Sequence, residues 1–364
     1  MRVLLVSPLP PPYGGIAHWT RNIVDHSNSN TVSEGPLLRV LDTAPRVRRS
    51  LAPSLAYRLG EGVIRLVWDL LRLVWCLISF KPEVVHLNTS GQLAFVRDFL
   101  LSLVLSLARV PFVYHLRFGR WAEIQKAKTW EWRIGSRVVQ RASAVVALDP
   151  SSEAAVSKEM PKGPVVRIPN PVAASKFMGN ERQDRRDVVL YVGWVIPAKG
   201  IEELLAAWKA LQPRGWSLEI VGPIDPDYHA LLRGRGLPSG ATIRGPMDND
   251  RVSELMNSSK IFAFPSHSEG FPNAVVEAMA AGMGIVASDV GAIADMLSHG
   301  AGRVVAPKDV HSLERELRDL MSDESVLASV GSAAATKAHK DYLLDHVYLQ
   351  YVELWKLIRR PFSN

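Results

Sequence analysis

Short runs of aliphatic and β-branched residues alternate along the chain with stretches of helical period. In the first half, residues 2–6, 83–87, 112–116 and 144–148 read as strands, with helices over 16–25, 97–109 and 121–141. The second half restarts the same grammar. Strands are predicted over 188–192, 217–221, 241–244, 261–264 and 285–288, and helices over 201–211, 229–235, 251–257, 273–281 and 313–322. Strands this short and this uniformly apolar are buried on both faces, which requires parallel sheets covered by helices. The fold class is therefore α/β, with two Rossmann-like doubly wound domains. At 364 residues the chain has the length for two such domains. A stretch over 169–187, with Pro169, Pro171, Gly179 and a charged run from Glu181, reads as the linker between them. Open α/β sheets bind ligands outside the carboxyl ends of their strands, so two facing domains would place a cleft there.

Composition narrows the function. The single cysteine, Cys76, can form no intramolecular disulfide and excludes a Cys-rich zinc module. Val3–Val6 is too short for a signal-peptide core. The most apolar region, 63–80, is broken by Arg65, Asp69 and Arg72, so no membrane span is expected. The charge is uneven: residues 1–175 hold 22 Lys+Arg against 12 Asp+Glu, and the rest is slightly acidic. One half is thus expected to face something anionic. Arg58, Arg65 and Arg72, seven apart beside an apolar helix, could lie on an anionic bilayer or simply form the wet edge of a core helix. Nucleic acid is not expected, because the basic residues are dispersed and no reading motif is present. There is no G-x-G-x-x-G after any strand, which argues against a dinucleotide cofactor.

The richest segment follows the strand at 261–264. It runs Pro265-Ser266-His267-Ser268-Glu269-Gly270-Phe271-Pro272-Asn273 and enters a helix ended by Gly282. Asn273 is expected to cap that helix. Free N–H groups at a positive helix end suit a phosphate or a sugar hydroxyl. Glu269 and Glu277 offer acceptors at two depths, although Glu277 alone reads equally as a helix-dipole carboxylate.

Glu269 and Glu277, with Gly270-Phe271-Pro272 after the first and Ala278-Met279 after the second, resemble the E-x7-E motif of retaining glycosyltransferases of family 4, which have the GT-B fold. Ser288-Asp289-Val290-Gly291 follows at the family's distance. The resemblance covers most of 186–310 and the first half more loosely. It implies an N-terminal acceptor-side domain over 1–172, a donor-binding domain over 186–344, and a C-terminal helix over 345–364 that crosses back. It implies that Glu269 binds donor-sugar hydroxyls, Glu277 the ribose, and the backbone of Gly270, Phe271, Pro272 and Asn273 the sugar and phosphates.

Gly193-Trp194-Val195-Ile196-Pro197-Ala198-Lys199-Gly200 reads as strand, loop and helix start, and Lys199 beside free amides suits a diphosphate. The family usually has an Arg where Trp194 stands, so one phosphate cation is missing. Arg117 and Arg120 are candidate replacements. Gly14 and Gly15, after the first strand, allow a close backbone approach. The family places this pair near the diphosphate and acceptor. His115 ends the strand at 112–116. A lone His is commonly structural, but the resemblance puts it on the acceptor side. His86 ends the preceding strand, and Asn170 resembles a hinge Asn. Asp225-Pro226-Asp227 reads as a turn, and no metal site is expected.

The resemblance implies a retaining transferase that moves a sugar from a UDP or GDP donor to a hydroxyl of a glycan or lipid-linked acceptor. It would work in cell-envelope polysaccharide synthesis, without a metal, in the cytoplasm or at the inner face of the membrane. The candidate catalytic residues are Glu269, Lys199 and His115. Gly14, Gly15, Gly193 and the 269–273 turn with Glu277 would bind donor. A nucleotide-sugar epimerase of the same fold, and a non-catalytic donor-binding subunit suggested by Trp194, are the alternatives.

Overall fold

The computed structural model describes residues 1–11, 14–29, 35–44, 55–173, 176–177 and 185–359, with backbone alone for 55–61. Pro12 and Tyr13 of the first glycine loop, Gly179 and most of the charged run at 181–187, the Arg58 side chain and the end of the predicted C-terminal helix lie outside the described residues. The chain divides into two compact units. One is Met1–Asn170 with Leu344–Asn364, and the other is Pro171–Leu343.

The N-terminal unit holds β1 (Arg2–Ser7), α1 (Gly15–Ser29), β2 (Leu37–Asp42), α2 (Leu55–Ser79), β3 (Val84–Thr89), α3 (Ala94–Leu107) and β4 (Phe112–Leu116). It continues with α4 (Trp121–Lys126), α5 (Trp130–Val139), β5 (Ala144–Ala147), α6 (Pro150–Ser157) and β6 (Val165–Arg167), and is completed by α14 (Leu344–Ile358). Six parallel strands run in the order β2-β1-β3-β4-β5-β6. One face packs on α2, α3 and α5 through Leu73, Phe95, Leu101 and Val138. The other packs on α1 and α14 through Trp19, Ile23, Tyr351 and Trp355. The single helix expected over 121–141 is two. Lys128 turns the backbone left-handed (φ 49°), and the Thr129 hydroxyl restarts the helix by accepting from Trp132 N–H at 3.2 Å.

The C-terminal unit holds β7 (Arg186–Val192), a 3-10 turn (Pro197–Lys199), α7 (Ile201–Leu211), β8 (Ser217–Val221), α8 (Pro226–Arg235), β9 (Ala241–Gly245), α9 (Asn249–Ser258) and β10 (Ser259–Phe264). α10 (Asn273–Ala280), β11 (Gly284–Ser288), α11 (Ile293–Met296), β12 (Arg303–Val305), α12 (Val310–Ser322) and α13 (Glu324–Asp341) follow. Its six strands are also parallel, in the order β12-β11-β10-β7-β8-β9. The strand order reverses between β7 and β10, which makes the ends of those two strands the unit's switch point. Asp225-Pro226-Asp227 is not a free turn. The Asp225 carboxylate accepts from Asp227 and Tyr228 N–H and caps α8, with Pro226 in its first turn.

The polar stripe expected on α2 is not its outward face. Arg72 donates to the Asp42 carbonyl at 2.8 Å and lies 3.7 Å from Asp69, and Arg65 is half-buried. The solvent side carries Ile64, Val67, Trp68, Leu71, Trp75 and Ile78, with both tryptophans more than 60% exposed (62% and 67%). Among the described residues no helix is long and apolar enough to cross a membrane.

Candidate active site

The switch point of the C-terminal unit brings together the two side chains that the sequence singles out most strongly. Lys199 follows β7 and Glu269 follows β10. Lys199 Nζ lies 2.6 Å from Glu269 Oε1, although 70 residues separate them. The lysine expected to meet a diphosphate is thus already engaged by a carboxylate.

Close backbone contacts hold the two loops in register. His267 N–H donates to the Ala198 carbonyl at 3.1 Å. Gly200 has φ +75°, and a Cβ there would lie 1.9 Å from the Pro265 carbonyl oxygen, so only glycine fits. On the other side of the turn, Ala292 N–H donates to the Gly270 carbonyl at 2.9 Å. A Cβ on Gly291 (φ +59°) would come within 2.5 Å of both the Glu269 and Gly270 oxygens. A further pair lies beside these contacts: His267 Nε2 is 2.9 Å from Glu203 Oε1 in the first turn of α7. Sequence reading missed Glu203, because nothing local marks an acid in a helix's first turn as a partner of a residue 64 positions away.

α10 begins at Asn273, with Pro272 at the N-cap position and no side-chain cap. The helix starts at Asn273, as its predicted range has it, but Asn273 does not take the N-cap position expected of it, which Pro272 occupies. The Phe271 ring packs edge-on against Tyr342 at 5.7 Å, so what this residue offers the turn is its backbone. Glu277 sits one turn into the helix and is half-buried. Burial pushes its carboxyl up to about 7, against a weaker opposing pull from Lys176.

Gly193 follows β7 directly, and its carbonyl would lie 1.8 Å from a Cβ on Gly222. The Tyr191 hydroxyl donates to the Trp194 carbonyl at 2.9 Å and fixes this loop. Burial, with the nearby Glu269 carboxylate, raises the Tyr191 pKa and keeps the phenol neutral. Trp194 itself is 57% exposed, with its indole in solvent where the resembling family carries a cation.

The other predicted residues lie in the N-terminal unit. Gly14 is exposed, a Cβ there would meet nothing within 4 Å, and Gly15 opens α1. His115, fully buried on β4, touches His86 of β3: His115 Nδ1 is 3.1 Å from His86 Nε2. Trp355 Nε1–H donates to His86 Nδ1 at 3.0 Å. Burial, helped by the Arg117 charge, lowers both imidazoles, His86 to about 3, so both rings are neutral. Arg117 leaves β4 and packs over the Trp19 ring, 4.9 Å from its centroid. Arg120 is half-buried at the start of α4. Among the described residues, no three His, Cys, Asp or Glu side chains gather as a metal would need.

Two family models account for most of the chain. Residues 16–171 match the glycosyl transferase 4-like domain, and residues 174–337 match glycosyl transferases group 1. The α-D-kanosaminyltransferase of Streptomyces kanamyceticus is 25% identical over 321 residues, covering 78% of this chain and 82% of that protein. The MMP α-(1→4)-mannosyltransferase of Mycolicibacterium hassiacum is 24% identical over 404 residues, with 98% of each covered. Anabaena HepE, solved in complex with UDP, superposes with a TM-score of 0.74 at 18% identity, covering 98% of this chain and all of that one. With two parallel Rossmann-like sheets and the switch-point residues in place, the chain belongs to the GT-B glycosyltransferases of family 4.

Proposed function

We propose that this glycosyltransferase transfers a sugar, with retention of configuration, from a UDP or GDP donor to a hydroxyl of a glycan or lipid-linked acceptor in cell-envelope polysaccharide synthesis. The observation that carries the reading is the Lys199–Glu269 pair at 2.6 Å on the switch point. Lys199 and the first N–H groups of α10 balance the charge that grows on the leaving diphosphate. Glu269, turned toward Lys199, keeps an acceptor for sugar hydroxyls, and Glu277 is placed for the ribose. Gly193, Gly270, Phe271, Pro272 and Asn273 serve through their backbone. Gly14, Gly15 and His115 belong to the acceptor side, and Arg117 or Arg120 supplies the positive charge that Trp194 does not. No metal takes part in this reading.

In the step itself, the bond from the anomeric carbon to the phosphate oxygen breaks and a bond to the acceptor oxygen forms on the same face. The acceptor's proton passes to the leaving phosphate, so no protein nucleophile is needed. Two relatives that are α-glycosyl transferases by name support retention from an α-configured donor. Anabaena HepE, also solved with UDP-glucose, supports a uridine nucleotide.

The test is Glu269→Ala in a coupled assay, with the product anomer read by NMR. Wild-type transfer with inversion, or full activity in the variant, overturns the reading. Donor isomerised without acceptor would make the protein an epimerase. Nucleotide binding with no turnover would make it the non-catalytic subunit that the exposed Trp194 favours.

The apolar outer face of α2 supports peripheral attachment to the cytoplasmic leaflet. Trp68 and Trp75, two helical turns apart, would sit at the headgroup level, with Arg65 near the rim. Co-sedimentation with phosphatidylglycerol vesicles should be lost in Trp68→Ser/Trp75→Ser. Equal binding by that variant removes the attachment.

A further inference from the structure

Among the described residues, no acid balances the charge at the carboxyl end of β4. The Arg117 guanidinium is half-buried, and its Nε is sealed from solvent without a hydrogen-bond partner. The groups that face it are Trp19 from α1, His86 from β3, His115 from β4 and Tyr351 from α14, and none is acidic. Burial without a counter-ion brings Arg117 down to about 10. The contrast with Arg97 is direct, because Arg97 reaches the buried Asp98 carboxylate at 2.7 Å. Taking a cation out of water without an anion is strongly unfavourable.

The tautomers of the two imidazoles add a second donor. An indole N–H can only donate. Trp355 donates to His86 Nδ1, so the neutral His86 ring carries its proton on Nε2. That proton goes to His115 Nδ1, which must accept. His115 therefore carries its own proton on Nε2, and this nitrogen lies 3.4 Å from Arg117 Nη1. Arg117 and His115 thus both present N–H donors at this contact, an arrangement that suits an oxygen carrying negative charge.

We infer that the end of β4 is an oxyanion subsite, in which the Arg117 guanidinium and the His115 Nε2–H hold a phosphoryl oxygen of a substrate. His86 and Trp355 are positioning residues that decide which His115 nitrogen donates. The inference rests on the proposed function only in taking the phosphate from a substrate of the transfer. That phosphate comes either from the donor's diphosphate or from the group that links an acceptor to its lipid.

Calorimetric titration of the full chain tests this, in a Lys199→Ala background so that the C-terminal lysine does not compete. The probes are inorganic pyrophosphate, UDP and farnesyl phosphate. Arg117→Met should weaken pyrophosphate binding at least tenfold while the ligand-free melting temperature holds or rises. Arg117→Lys, which keeps the charge and loses the fork, should fall between and covers the case in which the first variant does not fold. A parallel loss of UDP affinity assigns the phosphate to the donor. A loss confined to farnesyl phosphate assigns it to the acceptor. His86→Gln, whose amide can accept from Trp355 and donate to His115, should keep wild-type affinity, whereas His86→Leu should lose it several-fold. Unchanged affinity for all three probes in both Arg117 variants overturns the subsite. Equal behaviour of His86→Gln and His86→Leu overturns the relay. The pyrophosphate titration needs neither acceptor nor turnover, so a failure here is distinguishable from a failure of the transferase reading.

Discussion

The two units end their strands in opposite electrostatic states. In the C-terminal unit the polar side chains at the strand ends are paired with carboxylates, Lys199 with Glu269 and His267 with Glu203. In the N-terminal unit two neutral imidazoles stand beside a guanidinium with no acid near it among the described residues. A paired site is complete without ligand, and a ligand enters by exchanging partners. A partly exposed ion pair contributes only about 0–1 kcal/mol, so that exchange is cheap. An unpaired site is completed by its ligand. Removing one charge therefore has opposite consequences in the two places: in the first it strands a partner, and in the second it relieves a cost.

The largest expected effect tests the paired site. Glu269→Ala should lower kcat/KM by roughly 1000-fold, the scale seen when a transition-state contact is removed, with the circular dichroism spectrum unchanged. A loss below tenfold would break the comparison, because the pair would then be structural. Gly200→Ala comes next. Its Cβ cannot be accommodated 1.9 Å from the Pro265 carbonyl, so the two loops must part. Denaturant unfolding should report a loss of about 2–4 kcal/mol. A neutral result would mean that the paired loops are not locked.

The third prediction concerns pH. The Glu277 carboxyl titrates near 7 in the folded chain against 4.5 ordinarily, chiefly because it is buried. Between those values the folded state holds a proton that the unfolded chain has released. Stability therefore falls as pH rises from about 4.5 to 7, by on the order of 3 kcal/mol. Glu277→Gln should flatten the melting temperature across that window, and a parallel pair of curves would exclude Glu277 as the source. The smallest effect is expected from Trp194→Arg. The exposed indole leaves room for the guanidinium, and UDP affinity should rise only two- to fivefold by calorimetry, on the order of 1 kcal/mol or less. A much larger gain would mean that the N-terminal guanidinium supplies no phosphate charge.

The strands were legible because burial on both faces writes itself as continuous apolar runs such as Val3–Val6 and 261–264. β2 was not, because an edge strand is wetter: Leu37 and Arg39 are exposed and Leu41 is buried. The helix at α2 was legible, but its outward face was not. The eye follows the arginines, yet Arg72 is turned in to the Asp42 carbonyl while the tryptophans face out. Glu269 and Lys199 could each be found from local chemistry, whereas their 2.6 Å contact could not. The 70-residue span of that pair is set by strand order, and the 269-residue span from Trp355 to His86 by the return of α14 to the first sheet. Asn273 was assigned the cap because of its chemistry, but Pro272 occupies that position.

The place of α14 has a consequence for how the protein is made. Its Tyr351 and Trp355 fill one side of the N-terminal sheet, yet they are translated after the whole of the other unit. The ribosome thus releases a first half that still lacks part of one wall of its interior, and the second half can fold while the first waits. Nascent chains halted before Leu344 should hold a protease-resistant second half beside a digestible first, the reverse of the usual order in which the leading domain matures first.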